Sequence, residues 1–149
     1  EPAVPGGPGF PIRLPDVNYG VVSHLHYTDR ERVLTLTEIA GFTWVRQQIQ
    51  WKDIEGPEPK DYKWGDLDNI VDDAANHNMK LLISIVKAPS FYNATNGLPQ
   101  NPADMGDFVE ALVRRYGTKI SAIATACGSA GRIIKGNNAR RNTAAKAVA

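Results

Sequence analysis

Between residues 17 and 125, short apolar runs alternate with amphipathic stretches, and that alternation constrains the fold more than any other feature. Met79 to Val86 is apolar except for Lys80 and Ser84, as expected of a strand buried on both faces. Val17 to Leu25, Phe42 to Ile49 and Ile120 to Thr125 are three further strand candidates. Three stripes at helical spacing lie between them. They are Val33, Leu34, Leu36, Ile39 and Ala40; then Leu67, Ile70, Val71, Ala74 and Ala75; then Met105, Phe108, Val109, Leu112, Val113 and Tyr116. The punctuation agrees. Thr28 to Glu31 has capping-box spacing, Gly41 and Gly117 stand at helix ends, Asn76 to Asn78 closes the second helix, and Asn101-Pro102 is a cap followed by proline. Strand–helix alternation of this kind predicts parallel strands with helices packed outside them. The first strand leads into no Gly-x-Gly-x-x-Gly and no phosphate loop, which argues against a nucleotide-binding sheet.

Polar residues gather where these strands end. His24 and His26 close the first, Arg46, Gln47 and Gln48 the second with Trp51 just beyond, and Lys87 the third. A (β/α)₈ barrel places its working residues at those ends. Residues 87–101 form a long loop for a compact domain, a further sign of function.

The stretch "GFTWVRQQIQWKDIEGPEPKDYKWGDLDNIVDDAANHNMKLLISI" resembles the early barrel of retaining glycoside hydrolases of the large clan with paired catalytic glutamates, most closely its cellulase-like and β-xylosidase-like branches. The likeness rests on Gly41-Phe42, Arg46, Trp51, Ile54-Glu55, Tyr62 to Trp64 and Leu67-Asp68. Asp61 stands where the pattern has glycine, and "GLPQNPADMGDFVEALVRRYG" extends the match. The resemblance covers about residues 17–123. It implies an α/β fold, a TIM-barrel-like (β/α)₈ architecture represented by about its first four strands. It also implies that the fourth strand should run into Asn-Glu-Pro, whose glutamate is the acid/base. Ile120 to Ile123 is followed instead by "ATACG", and no Asn-Glu-Pro occurs in the 149 residues. The expectation is a glycoside-hydrolase-like fragment, truncated before that motif, without catalytic residues and without turnover of its own.

Retaining hydrolysis needs two carboxyl groups about 5–5.5 Å apart. Of the acids that follow strands (Asp29, Asp53 and Glu55), Asp29 suits the first turn of a helix, Glu55 belongs to a turn motif in the resemblance, and neither Asp53 nor Glu55 is expected to be catalytic. The substrate-binding candidates are His24, His26, Arg46, Gln48, Trp51 and Lys87. In the family an arginine placed like Arg46 braces a catalytic carboxylate; the alternative is pairing with a local acid or with backbone carbonyls. Trp51, Phe91 and Tyr92 suit either sugar stacking or a cap on the core. His24 and His26 are two apart, and no third ligand has metal-site spacing, so no metal or other cofactor is expected. Cys127 has no evident base and permits no internal disulfide. Asn93-Ala94-Thr95 is a glycosylation sequon.

Charge divides the chain. Residues 1–121 hold all 16 acids and 12 of the 17 basic residues, whereas 122–149 hold five basic residues and no acid. The expected organisation is a Pro/Gly-rich extended leader at 1–16, a partial barrel at 17–123 and a divergent basic tail at 124–149, read as a short surface helix or a frayed end. The tail lacks aromatic residues, so no nucleic acid is expected as a partner. Half a barrel leaves an open strand edge and an inner face expected to be rich in Val, Ile and Leu, which predicts a protein partner or self-association. Carbohydrate is the expected small ligand. A chain that starts at Glu1 fits removal of a signal peptide, and a secreted or extracytoplasmic location is expected.

Overall fold

The computed structural model describes residues 18–95 and 97–125 together with the backbone of 132–135. Five strands form one sheet in the order β1 (Gly20–Ser23), β2 (Trp44–Gln50), β3 (Lys80–Val86), β4 (Ile120–Thr125) and β5 (Arg132–Lys135). The first four are parallel, and helices intervene between them, as in an incomplete (β/α)₄ portion of a TIM-barrel-like fold. The helices are α1 (Arg30–Ile39), the four-residue α2 (Trp51–Ile54), α3 (Gly65–Asn76) and α4 (Pro102–Tyr116).

Each element follows from local chemistry. Asp29 caps α1 by accepting from the Arg32 N–H at 3.1 Å. The capping-box spacing had pointed to Thr28, one residue earlier; that hydroxyl instead donates to the His24 carbonyl at 3.0 Å. Gly41, at φ +77°, turns the chain out of α1. Asn101 caps α4, accepting from Ala103 N–H at 3.1 Å, and Pro102 occupies the first turn, where its missing N–H is no loss. Gly20 lets β1 lie close against β2: a Cβ there would come within 2.7 Å of Trp44 Cβ.

The core lies between the sheet and its helices. Val45 and Ile49 of β2 and Leu81, Ile83 and Ile85 of β3 pack with Leu34, Ile70, Phe108 and Leu112, all at most 1% exposed. β1 is shorter than the predicted 17–25, because the chain turns back at His24, whose carbonyl accepts from Tyr27 N–H at 3.2 Å.

Two expectations are corrected. The inner face, away from the helices, is not simply aliphatic. Its rows run Val22, Arg46, Leu82, Ala122 and then Gln48, Ser84, Ala124. Isoleucine and most of the leucine face the helices, where burial is complete, and β2 presents polar side chains inward. The tail is not helical throughout: residues 132–135 form β5, antiparallel to β4 with Ala122 opposite Lys135. The 1–16 leader, Cys127 and the remainder of the tail lie outside the described residues.

Candidate functional site

Arg46, Gln47 and Gln48 lie in the middle of β2, not at its end as the sequence suggests, because the strand runs on to Gln50, and they divide between its two faces. Gln47 is 1% exposed on the helix side. Its Oε1 accepts from the Leu25 N–H at 2.8 Å, and its Nε2 donates to the Gln48 carbonyl at 2.7 Å. A buried amide therefore satisfies a backbone donor left over where β1 ends. Arg46 and Gln48 point the other way and are exposed. Arg46 reaches one row toward the C-terminal end of the sheet, where its Nη2 donates to Ser84 Oγ at 3.0 Å. Among the described residues no carboxylate lies within ion-pair distance of it.

Trp51 lies in the core and presents no ring face at the surface. It is fully buried, its ring 4.9 Å from Phe108 and 5.2 Å from Tyr92 between centroids. The first turn of α2 swings the indole under the loops, where burying its large apolar surface is most favourable. Its Nε1 donates to Glu55. Glu55, 1% exposed, also accepts from Tyr92 Oη at 2.7 Å and from Lys60 N–H at 2.6 Å. The carboxylate is the centre of a turn, with both oxygens hydrogen-bonded. Burial first, and then this carboxylate, raise the Tyr92 phenol well above its ordinary range. Burial, Glu55 and Asp107 push Tyr62 up to about 12. Both tyrosines are therefore neutral donors or packing groups.

The two histidines part company. His24 is exposed, with its ring 6.2 Å from that of Tyr27. His26 has Nδ1 2.5 Å from Asp66 Oδ2, beside Arg30, which donates to Asp73 at 2.6 Å. It joins the end of β1 to α3. No group of three or more metal-ligating side chains occurs among the described residues.

Lys87 follows β3 at φ +52° and lines an open cleft of about 650 Å³ with Lys52, Glu55, Pro57, Ser90 and Phe91. The cleft lies beyond the C-terminal ends of β2 and β3, and the loop 87–101 forms one wall. Asn93 is exposed at the end of the short helical turn Ser90–Tyr92. The sequence singled out Lys87 and the loop but not Lys52 or Ser90, which carry no pattern of their own. The Glu55–Trp51–Tyr92 cluster has only the short spacing of 51 and 55 to announce it.

Parallel strands, helices on one face and polar groups at the strands' C-terminal ends define this chain as part of a TIM-barrel-like α/β protein. No family model and no curated protein matches it. Solved structures do. A family 39 glycoside hydrolase from Bacteroides cellulosilyticus WH2 is 21% identical with a TM-score of 0.63, over 71% of this chain and 23% of that one. The β-galactosidase of Marinomonas ef1 is 16% identical with a TM-score of 0.58, over 73% and 21%. The endocellulase of Pyrococcus horikoshii is 12% identical with a TM-score of 0.53, over 73% and 37%. The chain thus matches well under half the length of each. At these identities the likeness shows the fold: a distant, partial similarity to TIM-barrel glycosidases.

Proposed function

We propose that these residues are the first four (β/α) units of a retaining glycoside-hydrolase-type barrel, nearest the cellulase and β-xylosidase branches, and that they bind carbohydrate without hydrolysing it on their own. One observation carries this. Arg46 and Gln48 on the inner face of β2 and Lys87 after β3 supply polar groups, while Glu55, the acid lining the cleft among the described residues, is buried and accepts from Trp51, Lys60 and Tyr92. A retaining mechanism needs a free carboxyl pair across the bond; the described strands present none there. Sugar binding needs only donors, acceptors and a ring face. The test is reducing-sugar release from xylan, cellulose and aryl glycosides, beside oligosaccharide binding by calorimetry. Binding without release is expected, and release above a buffer control sinks the proposal.

Export accompanies this reading, supported by the exposed Asn93-Ala94-Thr95 sequon. Expression in a glycosylating host should add glycan mass that Asn93→Gln removes.

A second role, as an interaction subunit, is favoured by β1. It ends the sheet, it pairs only with β2 among the described residues, and it leaves Val22 56% exposed on the inner face. An unpaired edge beside apolar surface invites a partner chain or a second copy.

A further inference from the structure

The cleft beyond β2 and β3 carries positive charge that its one lining carboxylate offsets only in part. Lys52 and Lys87 line it from the start of α2 and the residue after β3. Among the described residues neither ammonium group is within ion-pair distance of a carboxylate; the lysines so paired are Lys60 and Lys119. Glu55 keeps its negative charge while accepting from Trp51, Lys60 and Tyr92, so the lining still carries one more positive than negative charge among the described residues. Lys87 holds φ +52°, a left-handed conformation that costs a lysine free energy and persists only where the surroundings impose it. They impose it here from two sides. The Lys52 N–H donates to the Lys87 carbonyl at 3.0 Å, and the Ala88 N–H donates to the Gly97 carbonyl at 2.9 Å. The fold therefore ties the backbones of the two lysines together at the cleft. Phe91, 37% exposed, offers an apolar surface on its wall.

We infer that this cleft takes an acidic saccharide, with the carboxylate of a uronic acid held by Lys52 and Lys87 and a sugar ring against Phe91. The inference rests on the carbohydrate reading and adds charge to it. A volume of about 650 Å³ suits a small ligand, within the usual range of about 300–1,000 Å³. β2 and β3 are interior strands with both edges paired, so no open edge lies between them for an extended acidic peptide.

The probe is tetragalacturonate, titrated into the full chain beside its fully methyl-esterified form, which keeps the rings and loses the charge. The free acid should bind about tenfold more tightly at low salt, and the advantage should vanish at about 1 M salt. It should also vanish in the Lys52→Gln, Lys87→Asn double variant; asparagine tolerates positive φ, and unchanged circular dichroism would show that the fold is kept. Equal binding of acid and ester overturns the charge inference and leaves the sugar cleft standing. Binding of neither, while neutral cello- or xylo-oligosaccharides bind, overturns it in the same way. No binding of any saccharide overturns both. Tighter binding of poly-glutamate than of tetragalacturonate assigns the lysines to a protein partner and overturns it too.

Discussion

Glu55 shows how one residue can be chemistry in principle and architecture in fact. A carboxylate after a barrel strand is a natural candidate acid. Here three donors close on it, from Trp51, Lys60 and Tyr92. Replacing it by glutamine keeps the shape but turns one acceptor oxygen into a donor facing other donors. Glu55→Gln should cost about 1–3 kcal/mol in urea unfolding. An unchanged midpoint would mean that the cluster contributes nothing to stability. Gly20 is the other single-residue constraint. Gly20→Ala brings a methyl group against Trp44 Cβ at 2.7 Å, and no flexible side-chain tip is there to move aside. The strands must separate, at about 1–3 kcal/mol by the usual penalty for overpacking. A variant as stable as the parent would show that β1 shifts freely.

Between elements, ion pairs link the helices in sequence along the sheet. His77, at the end of α3, lies 3.1 Å from Glu31 and 3.4 Å from Glu38, both on α1. Asp68 of α3 accepts from Arg115 at 2.8 and 2.6 Å and from Tyr116 Oη at 2.5 Å, which binds α3 to α4. The Arg115 hydrogen bonds hold the Asp68 carboxyl below its usual range. The bond to Glu31, aided by Glu38 and opposed by burial, raises the His77 imidazole above its ordinary value of 6.5. A raised folded value means a stabilising contribution that is complete below the unfolded pKa and is lost as pH rises through the folded one. The glutamates are exposed, so the contribution should be about 0.2–1 kcal/mol and weaken in salt. Urea midpoints measured upward from pH 6 should fall more for the parent than for His77→Gln. Parallel pH profiles for the two would remove His77 from the account. For Asp68 the sign is opposite: its contribution is present above the unfolded carboxylate value and disappears as pH falls through the lowered folded one.

For the whole molecule, the edge strands are β1 and β5, and among the described residues each pairs on one side only. Truncation after Thr125 removes β5 and moves the edge to β4, whose N–H and C=O groups on that side lose their partners, with Ile123 and Ala124 along it. The shortened chain should elute at a larger apparent size in a sizing column, or lose solubility. Unchanged elution and solubility would show that β5 protects nothing.

Much of the barrel section was legible in the residues alone. Short apolar runs located four strands and the 3.6 period the three main helices, because burial of a strand, or of one side of a helix, imposes those patterns. The run Ile120–Thr125 matches its strand at both ends. Capping and turn chemistry placed the helix ends to within a residue or so. The site was less legible. Arg46, Gln47 and Gln48 stand consecutively in the sequence, yet only pairing with β1 and β3 decides that Gln47 faces the core and serves a backbone donor while its neighbours face the open side. Trp51 suited a platform or the core equally well, until the first turn of α2 placed it against Phe108, a residue 57 positions further on in the numbering. The free charge of Lys52 and Lys87 was likewise hidden, since it depends on where every acid ends up. Local periodicity and capping act over a few residues and can be read along the chain. Side-chain direction, hydrogen-bond satisfaction and charge balance depend on neighbours distant in sequence, and only the folded sheet brings those together.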